Sequence, residues 1–89
     1  MLAPVRASWV VKGFANHYRI KILLLLNVRS ELSVGEIADS IKTDEKNASQ
    51  HLSKMAIAGL VIKRHDGTMV RHKLTERGQQ ALKYLQKLS

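Results

Sequence analysis

Apolar positions along the chain recur first at helical spacing. Val5, Trp9, Val10 and Phe14 follow Pro4, which suits a first helical turn, and predict a helix over about 4–14, interrupted by Gly13. Asn16 can cap a second helix through Ile20-Lys-Ile-Leu-Leu-Leu-Leu26, apolar nearly all round and so expected in the middle of a core. Ser33 with Glu36 forms the capping box of a third, whose inward face carries Val34, Ile37, Ala38 and Ile41 and which ends near Ser40. Thr43 or Asp44 caps a fourth, with Ala48, Leu52 and Met55 on one face and His51 at its edge.

The period then changes. Gly59 stops the fourth helix, Leu60-Val-Ile62 opens a strand that turns at Asp66-Gly67, and the chain returns through Thr68 to Leu74. Thr75 caps a last helix with a stripe of Ala81, Leu82, Leu85 and Leu88. The expected order is α-α-α-α-β-β-α, mainly α with a small β-hairpin: a winged helix-turn-helix, in one domain over 1–89. The terminal helices, about 4–14 and 75–88, carry more apolar surface than so small a domain easily covers, so Val5, Trp9, Leu82, Leu85 and Leu88 are expected at a homodimer interface. The alternative is that both helices pack within their own chain.

Charge sharpens this picture. Fifteen Lys and Arg against seven Asp and Glu give +8 over 89 residues, a balance that suits a polyanionic partner. Nucleic acid comes first, an anionic membrane surface second, and a merely soluble surface is the plain alternative. No segment has the length of a signal peptide or a membrane span, so a cytoplasmic protein with no membrane partner is expected. Cysteine is absent, which excludes disulfides, thiolate metal sites and a cysteine nucleophile. No glycine loop for phosphate, metal-ligand spacing or Ser-His-Asp set is apparent, so neither an enzyme nor a cofactor is expected.

On the fourth helix the polar face is the place for contacts with bases in double-stranded DNA. Gln50 and Asn47 can bond adenine bidentately, Lys46 can reach guanine acceptors, and Ser49 and Ser53 permit close approach. Asn47 could instead serve the first helical turn, and Gln50 and Ser53 could be solvated surface. Glu45 either points away from DNA or selects cytosine. Backbone contacts are expected from Ser33, Lys54, Lys63, Arg64, His65, Thr68 and Arg71, with His72 and Lys73 adding to the basic hairpin. Protonation of the hairpin histidines near neutral pH would strengthen phosphate binding; His17 and His51 are read as structural. Lys42 stands in the turn, and a left-handed backbone there would cost it on the order of 1 kcal/mol relative to glycine.

Four stretches, Phe14-Ala-Asn-His-Tyr-Arg-Ile-Lys-Ile-Leu24, Glu31-Leu-Ser-Val-Gly-Glu-Ile-Ala38, Ser49-Gln-His-Leu52 and Ala58-Gly-Leu-Val61, together resemble the ArsR-type repressors, and Leu74-Thr-Glu-Arg-Gly78 is similar to the MarR and PadR groups. The resemblance implies a homodimeric repressor, paired through its first and last helices, on a palindromic operator. Metal-sensing members carry Cys-Val-Cys where this chain has Ser33-Val34-Gly35, and the Asp, His and Glu ligands of their last-helix site find only Glu76 here. No metal is therefore expected. Two other functions compete with operator binding: a winged-helix module for protein interaction or assembly, slightly favoured by Asp44 and Glu45, and a sequence-neutral chromatin or plasmid protein.

Overall fold

The structure, a computed structural model, describes residues 17–88. The expected helix over 4–14, with Val5 and Trp9, and the Asn16 cap lie outside the described residues. Within them the order is α1 His17–Val28, α2 Val34–Ile41, α3 Glu45–Ile57, β1 Val61–Asp66, β2 Met69–Leu74 and α4 Glu76–Leu88. None of these helices is long and apolar enough to cross a membrane.

α1 buries Ile22, Leu23 and Leu26 completely or nearly so, but Leu24 is 43% exposed and Val28 81%. The leucine run is thus one-sided, because a helix lying against neighbours on one flank turns every third or fourth position outward. α2 begins at the expected capping box: Glu36 N–H donates to Ser33 Oγ at 3.2 Å, and Ser33 N–H donates to Glu36 Oε1 at 3.0 Å. Hydrogen bonding from the Ser33 backbone N–H first, then from the Ser33 side chain, holds the Glu36 carboxyl below its ordinary pKa. α2 runs to Ile41, one residue past the expected end, and closes at Lys42, which is left-handed at φ 58° as its turn position suggested. The N–H of Thr43 then returns to the Ala38 carbonyl at 3.0 Å.

Asp44, rather than Thr43, caps α3: its Oδ1 accepts from Asn47 N–H at 2.7 Å. The C-terminal end repeats the device seen at Lys42. Gly59 is left-handed at φ 77°, and Leu60 N–H bonds back to Met55 O at 2.9 Å. Strand β1 follows one residue later than expected and pairs antiparallel with β2 from Val61↔Leu74 to Asp66↔Met69. This register moves the two-residue turn from Asp66-Gly67 to Gly67-Thr68. Asp66 belongs to the ladder, where its carboxylate takes Arg71, and Gly67 supplies the positive φ (62°) of the first turn residue, the type II′ pattern.

α4 is docked by Leu74-Thr-Glu-Arg-Gly78. Thr75 N–H donates to Leu60 O at 3.1 Å, Thr75 Oγ1 donates to Gly59 O, and Gly78 N–H donates to Thr75 Oγ1 at 3.0 Å. A Cβ on Gly78 would lie 2.1 Å from Leu60 O, so only glycine allows this approach. One core joins all the elements, with Ile22, Leu23, Ile37, Leu52 and Met55 fully enclosed. Leu82 belongs to it, 3% exposed within the single chain, which corrects its expected place at a dimer interface: its area is already spent on its own fold. Leu85 and Leu88 are half-buried, Leu85 against the core.

Candidate nucleic-acid interface

The faces of α3 are set by 100° per residue. Ala48, His51, Leu52 and Met55 are buried, while Lys46, Ser49, Gln50 and Lys54 are exposed and Ser53 is half-buried. Lys46, Gln50 and Ser53 therefore form the outward stripe opposite the core, with Ser49 on one flank and Lys54 on the other. Asn47 does not join the stripe. It is half-buried, and its amide Nδ2 donates to Thr43 Oγ1 at 2.8 Å, so its base-reading assignment gives way to a role in the first turn of α3. Glu45 turns back toward α2: its Oε1 lies 2.6 Å from where a Cβ on Gly35 would stand. Of the two expectations for Glu45, pointing away is the one the geometry fits.

The wing has two different faces, as strand alternation requires. Arg64 and Arg71 sit directly across from one another on the outer face, and each is met by a carboxylate. Arg64 pairs with Glu31 at 3.0 Å and Arg71 with Asp66 at 2.9 Å; Arg71 Nη1 also donates to Glu31 O at 3.1 Å. Hydrogen bonding to Arg71 and its charge hold the Asp66 carboxyl low, and the Glu31 carboxylate raises Arg64. Exposed pairs of this kind contribute little to stability and are screened by salt. Glu31 was not foreseen as part of the site. Its left-handed backbone (φ 67°), which nothing in the residue type announces, aims carboxylate and carbonyl at two wing arginines.

On the inner face Lys63 and His65 of β1 are exposed, but His72 of β2 is only 3% exposed. The expectation that His72 is a freely protonated surface histidine is thereby corrected. Its backbone N–H donates to Leu32 O at 2.8 Å, its carbonyl accepts from Glu31 N–H at 2.8 Å, and its ring Nδ1 lies 2.9 Å from Leu32 O. Burial pushes its pKa down. Between this face and the Ser49 flank of α3 runs a cleft of about 390 Å³, lined by Val34, Ser49, Leu52, Lys63, His65, Val70 and His72. Thr68 is exposed at the wing tip.

His51 is structural in its contacts: its Nδ1 accepts from Arg19 Nε at 3.2 Å, and Tyr18 packs on its ring. Burial first, then the Arg19 charge, lowers its pKa. The stretch that resembles a thiolate metal site does not fit one, because the Ser33 hydroxyl is committed to its cap and Gly35 offers no ligand atom. Among the described residues no three His, Cys, Asp or Glu side chains come together to hold a metal ion.

A family model described as bacterial regulatory protein, arsR family, matches residues 16–63. The chain is 37% identical over 65 residues to the HTH-type transcriptional regulator KmtR of Mycobacterium tuberculosis, covering 73% of this chain and 49% of that protein. It is 34% identical over 70 residues to the transcriptional activator HlyU of Vibrio cholerae, covering 79% and 64%. The chain thus spans less than two thirds of the length of these relatives. The solved structure of HlyU from Vibrio cholerae superposes with a TM-score of 0.73 at 30% identity, covering 99% of this chain and 97% of that one. MepR of Staphylococcus aureus, a transcription regulator of a multidrug efflux pump, superposes at 0.80 with 16% identity, covering 93% and 64%, a likeness of fold.

Proposed function

The chain belongs to the arsR family of bacterial regulatory proteins, and from that premise we propose that it is a sequence-specific binder of double-stranded DNA that represses transcription by occluding a promoter. The observation that carries this reading is the outward stripe of Lys46, Gln50 and Ser53 on a helix beside a basic wing. Side chains on the stripe read base edges in the major groove, while Lys54, Lys63, Arg64, His65 and Arg71 hold the backbone and set register. Ser33 and Thr68 contribute at the edges of this footprint.

The protein acts as a homodimer on a palindromic operator, its two recognition helices in successive major grooves. Leu85 and Leu88 on α4, with Val5 and Trp9, supply the seam. Gln50→Ala should relax specificity at one base pair of each half-site, at a cost of about 1–3 kcal/mol, while Arg64→Ala should weaken all sequences alike. Fluorescence anisotropy on operator and random duplexes separates the two; equal losses on both DNAs for both variants would sink the assignment. The operator itself comes from selecting bound fragments out of random DNA.

A protein-interaction module loses its main support, because Asp44 is occupied as a helix cap and Glu45 is folded against Gly35. Salt titration tests what remains of it: duplex affinity should fall steeply with salt as phosphates release counterions. A specificity ratio near one would instead indicate a sequence-neutral chromatin protein.

A further inference from the structure

The cleft between α3 and the wing gathers polar groups from three elements: Ser49 from α3, Lys63 and His65 from β1, and His72 from β2. No carboxylate lines it. His72 is the unusual member, because its Nδ1 is spent on the Leu32 carbonyl. A carbonyl can only accept, so Nδ1 carries the proton and Nε2 is a bare acceptor in the neutral ring. With Nδ1 committed to Leu32 O, Nε2 is the ring nitrogen of His72 left to serve the cleft that this residue lines.

We propose, resting on the DNA-binding reading above, that this cleft seats one backbone phosphate, held by Ser49 and Lys63, to which His72 donates from Nε2 after taking up a proton from solvent. In its neutral form His72 turns a lone pair toward the anion and opposes it; protonated, it donates while keeping its bond to Leu32. Burial, with the smaller effect of the Lys63 charge, disfavours that proton in the free protein against the opposing hydrogen bond to Leu32 O, and a phosphate in the cleft reverses the balance. The other charged or titratable groups lining the cleft are Lys63 and His65, both from β1; α2 and α3 bring Val34, Ser49 and Leu52. α1 and α4, which also pack on β2, turn their apolar faces to the core. DNA binding is thereby coupled to the uptake of one proton at a residue set into the wing.

The test follows the ring resonances of His72 by NMR from about pH 5 to pH 8 in the free protein, with random-sequence duplex and with inorganic phosphate. Duplex should raise the His72 pKa, and duplex affinity should fall about tenfold per pH unit across the interval between the free and bound values. His72→Asn removes the titration while its amide can still donate to Leu32 O, so it should flatten this pH dependence; His17→Gln, outside the cleft, should leave it in place. Tight duplex binding with an unmoved His72 pKa, or a slope that survives His72→Asn, overturns the inference and leaves the proposed function standing. Should His72→Asn fail to fold, the wild-type titration decides alone. A pKa raised by inorganic phosphate without any duplex binding keeps the phosphate seat and removes the DNA reading; no duplex binding and no response to phosphate removes both.

Discussion

The two helices of the helix-turn-helix end by the same backbone device on different residues. α2 closes on Lys42 and α3 on Gly59, both left-handed, each followed by an N–H that reaches back five residues. The difference lies in what surrounds them. Lys42 is exposed, so its side chain costs only the strain of its own backbone. Gly59 lies under Arg77, whose guanidinium donates to Ala58 O, and a Cβ there would come within 3.3 Å of it. A left-handed position therefore favours glycine, and crowding decides how strongly.

Gly78 takes this contrast to its limit, since steric approach to Leu60 O forbids a side chain there with no positive φ involved. Gly78→Ala should cost about 3 kcal/mol, read as a lower urea midpoint, because backbone must move to admit the methyl group. Gly59→Ala should cost about 1–2 kcal/mol in the same assay, from strain and the displaced Arg77. Lys42→Gly should raise stability by up to about 1 kcal/mol, read as a higher midpoint; a loss of stability there would mean that the exposed end is not the strained one.

The smallest effect is on pH dependence. Burial lowers His72 and His51, so folding favours their neutral rings. Their contribution is complete above the ordinary histidine pKa of about 6.5 and is lost as pH falls from there through the depressed folded values. Urea midpoints should therefore drop between about pH 7 and pH 5, less so in His72→Asn.

The four helices within the described residues, the capping box at Ser33 and Glu36 and the existence of a hairpin were legible because each rests on local chemistry: a periodic stripe, a side chain three residues from its acceptor, a glycine in a turn. Local chemistry could not choose between Asp66-Gly67 and Gly67-Thr68, since the register depends on how Val61 and Leu74 meet at the buried base of the wing. The outward stripe of α3 was likewise readable from 100° steps. For Asn47 the sequence left two roles open, base reading or service in the first turn, because its amide partner Thr43 lies outside the helix. The wing's charge was visible, but its disposition was not: Glu31 reaches Arg64 across 33 positions in sequence, and His72 is buried by a bridge to Leu32 that no spacing announces.

Glu45 resting against Gly35 has a consequence for how binding strength can change. The negative charge at the start of the recognition helix is stowed beside α2, away from the outward stripe, and its stowage depends on an empty position in another helix. A methyl group at Gly35 would displace the end of that side chain from its place beside α2. On the proposed DNA-binding reading, affinity would then fall through a neutral substitution in another helix, by the relocation of a charge already present.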